Sequence, residues 1–285
     1  VEGDYFVSEP VGRLVRRSQV GYPDSGHIEL SNRHEGDIGE FITSTDGNFR
    51  PVNTYTGPDG CLYIVDMYRG IIQDKAFITP YLHEQILKFG YQKSIGRGRI
   101  YRVVRDGVKP GPKPQLLDAE PTELVERLAH PNGWWRDTAQ GLLVARNEHS
   151  AADALQKMAL THSDPLARLH ALWTMDGLGV TDFALVEAVA GDKDYRLRTA
   201  ALQVAENLPQ ATGPGPDPLV ALLETLTLDP HPLVVAQVIL TAGRRAETEG
   251  GNLMAKCVSR FPENEAVARA ASAVAPSDPA EEAQR

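Results

Sequence analysis

The hydrophobic pattern of the chain changes period once. Near the start, Asp4 to Ser8 and Gly12 to Arg17 are short strand-like runs separated by a proline-containing turn, which predicts a hairpin. Gly39 to Thr43, Pro51 to Tyr55 and Cys61 to Asp66 follow at the spacing of an all-β fold. Gly57-Pro58-Asp59-Gly60 between the last two predicts a tight reversal, because proline pre-sets φ and the glycines accept positive φ. Tyr81 to Phe89 switches to helical spacing, with Leu82, Ile86 and Phe89 apolar and Gly90 as the stop. Arg99 to Val104 then returns to strand alternation.

Beyond residue 107 the period is helical and the pattern repeats. Arg136, Arg168 and Arg198 align within Trp135 to Ala139, Ala167 to Ala171 and Leu197 to Ala201. A fourth unit at Val234 to Val238 puts Val235 in the arginine position, and a fifth at Ala268 to Ser272 restores it as Arg269. Partner helices are expected at Thr122–Leu128, Asp153–Leu160, Phe183–Ala190, Leu219–Leu228 and Leu253–Phe261, so each unit is a helix pair. Leu197, Ala201, Val204 and Leu208 form one apolar stripe and Leu219, Leu222, Leu223 and Leu226 another. Such stripes bury against neighbouring pairs, which predicts a stacked α-solenoid. Between the two parts, Pro110, Pro112 and Pro114 alternate with other residues, which favours extended geometry and forbids a helix. The expected organisation is therefore β-rich residues 1–107, a proline-rich linker at 108–118, helical repeats over 119–275 and a disordered tail at 276–285.

Charge narrows the partners. The first 107 residues carry 13 basic and 14 acidic side chains and the remainder 16 and 24, so most of the net charge of −9 belongs to the helical part. That balance argues against nucleic acid as a partner. No apolar run approaches the roughly 20 residues of a membrane span; Leu233 to Leu240 is short and broken by Gln237. Cys61 and Cys257 stand far apart and neither begins the Cys-x-x-Cys-His of covalent haem attachment. Cys257 lies on an apolar stripe with Leu253 and Phe261, which predicts a buried, unreactive thiol.

Two resemblances follow. Helix pairs entered by Asp164-Pro165 and Asp229-Pro230, with an arginine early in the second helix, resemble HEAT repeats. Asn48 to Asn53 and Gly57 to Gly70, with Ile95 to Arg102 and Asn132 to Ala139, resemble glucose/sorbosone-dehydrogenase-like propellers. The similarity is greatest to membrane-bound dehydrogenase domain proteins of planctomycetes and verrucomicrobia, and it covers about residues 1–210. The resemblance implies a mixed β then α chain: the last one to two blades of a β-propeller followed by a HEAT-like solenoid. A propeller needs at least four blades, and residues 1–107 have room for about two, so the chain is expected to be part of a longer protein. For that longer protein the resemblance implies a secreted or periplasmic sugar oxidoreductase with pyrroloquinoline quinone and calcium, and haem c in a separate cytochrome-type module. It implies no catalytic residue and no cofactor in this part.

Arg50, Asp66, Tyr68, Arg69 and Arg97 lie near predicted strand ends, where propellers collect binding groups on loops. They could line a central polar site for a carbohydrate, or Asp66 and the arginines could form ion pairs that lock one blade to the next. His27, His34, Glu35 and Asp37 could hold a cation but lack calcium-loop spacing, so a solvated loop is the simpler expectation and no metal is assigned. His130, His162, His170 and His231 recur at repeat boundaries as caps or surface residues. Trp134 and Trp135 diverge by about 100° on a helix, so one is expected to pack outside the solenoid seam, on the propeller or linker. Two roles remain open for the helical part: a scaffold between an oxidising and an electron-accepting module, or a non-catalytic grip on a protein or carbohydrate partner.

Overall fold

The computed structural model describes residues 3–23, 26–32, 39–209, 217–245 and 250–274. The chain is β first and α afterwards, in two compact units: Val1–Tyr22 with Ile28–Pro114, and Pro23–His27 with Gln115–Arg285. The tail expected at 276–285 lies outside the described residues.

The first unit holds two small antiparallel sheets. In one, β1 (Asp4–Glu9) pairs with β2 (Leu14–Gly21) as the expected hairpin. The far edge of β2 is shared by β3 (Glu29–Asn32) and the two-residue β4 (Ile42–Thr43). All four residues of β3 are exposed, so it has no alternation by which sequence could reveal it. The second sheet is a meander of β5 (Pro51–Thr56), β6 (Leu62–Asp66) and β7 (Arg99–Val103). The reversal before β6 forms as expected: Gly57 N–H donates to Cys61 O at 2.8 Å. Asp59 in that turn receives Tyr63 Oη at 2.9 Å and pairs with Arg102 at 2.5 Å. The same turn ties down the proline-rich segment, since Gly111 N–H donates to Asp59 O at 2.8 Å. Thr54 Oγ1 on β5 donates to Phe6 O on β1, which joins the two sheets. Helix α1 (Pro80–Phe89) is capped by Thr79 and stopped by Gly90 at φ 67°. Of its anticipated stripe only Ile86 is buried; Phe89 is 57% exposed.

The second unit consists of helix pairs: α2 (Pro121–Arg127) with α3 (Gly133–Ala145), α4 (Ala152–Thr161) with α5 (Pro165–Gly177) and α6 (Phe183–Ala190) with α7 (Tyr195–Ala205). Then come α8 (Pro218–Leu226) with α9 (Pro232–Arg245) and α10 (Gly250–Arg260) with α11 (Glu265–Val274). The second helices touch in sequence, α3 to α5 to α7 to α9 to α11, so each pair is packed on the next. Leu197, Ala201, Val204, Leu219 and Leu223 are buried along the anticipated stripes, within one continuous apolar core. At about 1.5–3 kcal/mol per fully buried large aliphatic side chain, this burial is what makes the helices stable, since each is too short to persist alone. Trp135 is buried beside His130, while Trp134 is half-buried against the same helical core, so both indoles serve one core rather than two. Cys257 is fully buried, and burial pushes its thiol up to about 11.

The aligned arginines acquire a common geometry. Ahead of the first four second helices, a side chain two residues before the capping position accepts the backbone N–H of that position. His130 Nδ1 receives it from Asn132 and His162 Nδ1 from Asp164, both at 3.0 Å. Asp192 Oδ1 receives it from Asp194 and Asp229 Oδ1 from His231, both at 2.8 Å. The histidines at these two boundaries are therefore caps, interchangeable with aspartate because both offer one acceptor at the same reach. Arg168 pairs with Asp192 of the following boundary at 2.5 Å, and Arg198 makes a two-pronged bond to Asp229 at 2.7 and 2.8 Å. Arg198 Nη1 also donates to the carbonyls of Asp192 and Lys193, so the ladder runs Arg168, Asp192, Arg198, Asp229 without a break. Arg136 makes the equivalent carbonyl bonds, to His130 and Pro131, but the next boundary offers His162 and not an aspartate; its buried Nε has no partner among the described residues.

Asp229 is 6% exposed, and removing one partner of a buried pair costs about 3–5 kcal/mol because the other charge stays buried. Asp229→Ala is expected to destabilise the helical unit by that order, read as loss of far-ultraviolet circular dichroism on heating or in urea. The double variant Arg198→Met, Asp229→Leu should regain a substantial part.

Candidate functional site

Three of the five candidate polar residues of the first unit converge where β5 begins and β6 ends. Asp66, 1% exposed, uses Oδ1 to accept the backbone N–H groups of Arg50 and Tyr68, each at 2.8 Å. Met67 N–H in turn donates to Arg50 O at 3.0 Å, so the loop after β6 is clamped to the strand beside it. Asp66 Oδ2 is buried and has no hydrogen-bond partner among the described residues.

Arg50, 5% exposed, forms no ion pair with Asp66. Its guanidinium donates to Pro10 O (2.7 Å), Val11 O (3.2 Å), Arg69 O (3.0 Å) and Gly70 O (3.0 Å). Burial, and then the charge of Arg13, lower its pKa, but the guanidinium remains a cation at any physiological pH. The expected ion-pair lock between Asp66 and the arginines is thus corrected. The lock exists, but it is built from an arginine on carbonyls and a carboxylate on amides, because the strand ends present unpaired main-chain groups that need partners.

Tyr68 sits at φ 44°, and its ring lies beneath the Arg99 guanidinium at 3.5 Å. The hydroxyl bonds to Asp46; that bond, burial and the nearby charge of Asp46 raise the phenol above its ordinary pKa of 10.0. Burial works to raise the Asp46 carboxyl. Bonds from Asn48 N–H, the Tyr68 hydroxyl and the Asn48 side chain, with the charge of Arg99, outweigh it and hold Asp46 below 3.8. Asn48 Oδ1 also accepts from Ser94 Oγ at 2.7 Å. Tyr91 fills a slot floored by Gly47 and Gly70: a Cβ on either would fall 2.2 Å and 2.4 Å from Tyr91 atoms, so only glycine admits the ring. Arg69 and Arg97 do not join the cluster; their side chains are exposed and make no hydrogen bond or ion pair among the described residues. Asp46, Asn48, Tyr91, Ser94 and Arg99 were not singled out by sequence. The run Ser44 to Asn48 reads only as a polar turn, and its partners Tyr68, Ser94 and Arg99 lie far along the chain.

Residues 1–107 match the model of a domain of unknown function, DUF7133. The DUF7133 match ends at the residue where the composition changes, and it contains the whole Arg50, Asp66 and Tyr68 cluster. No curated protein and no solved structure matches the chain.

His34, Glu35 and Asp37 of the candidate cation cluster lie outside the described residues, and His27, which belongs with the second unit, pairs with Glu265. Among the described residues no three metal-binding side chains gather. A quinone with calcium does not fit the cluster around Arg50, Asp66 and Tyr68 either: calcium takes six to eight oxygens, while the cluster's one buried carboxylate oxygen without a partner among the described residues is Asp66 Oδ2.

The helical unit holds a second polar site that sequence did not reveal. A cleft of about 370 Å³ opens across α5, α7 and α9, lined by Trp173, Gln203, Glu206, Asn207, Gln237 and Arg244, with Leu240. Gln237 and Thr241, both buried, hydrogen-bond Glu206 Oε1 at 3.0 and 2.8 Å, and Arg244 pairs with the other Glu206 oxygen. Asn207 bonds both oxygens of Asp176 at 3.1 and 3.0 Å. Asp176 and Glu206 each stand eight residues after the aligned arginines 168 and 198, and Asn207 and Arg244 each nine after positions 198 and 235, so the acid of one repeat is held by the next.

Two outcomes are expected in the first unit. Arg50→Met leaves four carbonyls without their donor and should cost several kcal/mol, since each buried group left unmade costs about 1–3 kcal/mol; thermal unfolding of the β unit reads it, and Arg50→Lys should recover only part. Asp46→Asn removes the largest cause of the Tyr68 shift and should lower that phenol's pKa. The measurement is tyrosinate absorbance, with Tyr68→Phe as reference. In the wild type the Asp46 contribution is present above the ordinary carboxylate pKa and is lost as pH falls through the depressed folded value, below 3.8.

Proposed function

We propose that this chain is a non-catalytic scaffold within a secreted or periplasmic, quinoprotein-type sugar oxidoreductase. In this reading the two sheets are blades of a β-propeller and the helix pairs are a HEAT-like solenoid that carries the propeller's neighbour, an electron-accepting module. The observation that carries the reading is Arg50. The most buried cation of the candidate polar site spends its guanidinium on four main-chain carbonyls, and Asp66 beside it spends a carboxylate oxygen on two amides. Groups committed in this way hold loops in place, and of the pair only Asp66 keeps an oxygen unused among the described residues, Oδ2, on a residue 1% exposed.

Three lines support the assignment to this class of protein. The motifs around Asn48 to Asn53, Gly57 to Gly70 and Ile95 to Arg102 resemble the dehydrogenase-like propellers. The sheets are antiparallel, one of them a simple meander, as blades are. The second helices touch in order, as in stacked repeats. A propeller closes with four or more blades, so the reading requires further blades beyond these two sheets. Pyrroloquinoline quinone, calcium, haem c and the carbohydrate would then be held by other modules.

The exposed Arg69 separates scaffold from site. In the full-length protein, Arg69→Ala is expected to leave quinone-dependent dye reduction across a sugar panel unchanged, whereas Arg50→Met should lower thermal stability first and activity only as the protein unfolds. A fall in kcat for Arg69→Ala at unchanged stability would place the site here; no dye reduction with any sugar and reconstituted cofactor would remove the oxidoreductase.

A further inference from the structure

Strand β7 leaves one whole edge of the second sheet open. It ends the strand order β5, β6, β7, and its register with β6 runs unbroken from Arg99 to Val103. The hairpin sets the phase of the ladder, because Gly57 N–H donates to Cys61 O. Main-chain groups of successive strand residues point to opposite sides, so Cys61, Tyr63 and Val65 face β5 while Leu62, Ile64 and Asp66 face β7. Their partners Val103, Tyr101 and Arg99 spend their main chain on β6, and Ile100 and Arg102 present theirs outward. Neither makes a main-chain bond on that side among the described residues. Exposed edges are ordinarily covered, bulged, charged or broken by proline. Of these devices β7 has only charge, and Ile100 is 66% exposed on it.

That charge selects what can pair there. No acidic residue stands between Glu84 and Asp106, whereas Lys93, Arg97, Arg99, Arg102 and Arg105 all fall in that interval. Arg102 is paired with Asp59, and Arg99 lies over Tyr68 near Asp46. Arg97 and Arg105, two residues beyond either end of β7, make no side-chain hydrogen bond or ion pair among the described residues. They disfavour a second copy of this chain: two β7 strands paired antiparallel about Tyr101 set Arg97 against Arg105 twice, and like charges directly opposite destabilise a ladder. An acidic residue at each end of an incoming strand meets an uncommitted guanidinium instead. Between those ends, Ile100 on one face and the 39% exposed Tyr101 on the other suit β-branched neighbours.

We propose that the free edge of β7 takes up an extended segment of a partner protein as a further strand, β-branched at its centre and acidic at both ends. Main-chain bonds to Ile100 and Arg102 fix its register, and Arg97 and Arg105 choose the partner. The proposal rests on one sheet edge alone, so it stands or falls separately from the oxidoreductase reading.

The test titrates the 285-residue chain with a labelled nonapeptide, Glu-Thr-Val-Thr-Val-Thr-Val-Thr-Glu, at about 0.15 M salt to screen bulk attraction. Fluorescence anisotropy reads binding and circular dichroism reads the fold. The peptide is expected to bind, a counterpart with lysine for glutamate to bind at least about tenfold more weakly, and one methylated on every central amide nitrogen not to bind. The double variant Arg97→Glu, Arg105→Glu should reverse the preference between the two charged peptides. Ile100→Pro removes only an outward N–H, which a sheet edge tolerates, so it should keep the fold and abolish binding; if it does not fold, the charge reversal decides. No binding at about 1 mM, equal binding of the lysine counterpart, or undiminished binding to folded Ile100→Pro would each overturn the proposal. So would a dimer of the chain in sedimentation that Ile100→Pro dissociates, since the edge would then belong to a second copy.

Discussion

An arginine that cannot reach water must find oxygen elsewhere, and in this protein that requirement organises both units. Arg50 satisfies it with four carbonyls at strand ends. Arg168 and Arg198 satisfy it with carbonyls of their own repeat and a carboxylate of the next. The planar guanidinium suits the task because its five N–H groups diverge in fixed directions and can bridge separate segments at once. Lysine, a point charge on a flexible stem, would hold one segment at a time.

The repeat ladder explains a variation that otherwise looks like decay. The arginine is kept at 168 and 198, where the following boundary supplies Asp192 and Asp229, and is replaced by Val235 where Pro262 stands at the corresponding place. A buried guanidinium left without enough oxygen partners is costly, and Pro262 offers no side-chain oxygen, so an apolar residue suits that position. Arg136, facing a histidine boundary, is the intermediate case: it keeps its carbonyl bonds and leaves Nε without a partner. A second ladder at the other ends of the same helices, Asp176 with Asn207 and Glu206 with Arg244, fixes the spacing of the cleft's walls. Apolar stripes bring the helices together, but such stripes tolerate sliding; two polar ladders fix one register.

The cluster around Arg50, Asp66 and Tyr68 works by the same economy on a smaller scale. One carboxylate oxygen of Asp66 gathers two amides, Tyr91 fills a slot that two glycines open, and Tyr68 is held between Asp46 and Arg99. Three segments that are far apart in sequence, 44–50, 66–70 and 91–99, are thereby fixed to one another. The side chains most conspicuous in sequence for their charge, those of Arg69 and Arg97, contribute nothing to this, while an unremarkable asparagine and serine do.

Local chemistry alone determined the hairpin at Asp4 to Gly21, the reversal at Gly57 to Gly60, the limits of α1 and the order of the helix pairs. Turn residues, caps and apolar periodicity act over a few neighbours, and those neighbours are adjacent in the chain. The repeated arginine was legible as well, although its partner was not. Tertiary structure decided everything that depended on which distant group fills a vacant hydrogen bond: that Arg50 takes carbonyls and not Asp66, that Asp46 meets Tyr68, and that Gln203, Glu206 and Gln237 close a network under Trp173. Strand β3 was hidden for the related reason that an exposed strand leaves no hydrophobic trace. Hydrogen bonds between segments are chosen by distance and burial in the folded chain, and neither quantity exists until the chain has folded.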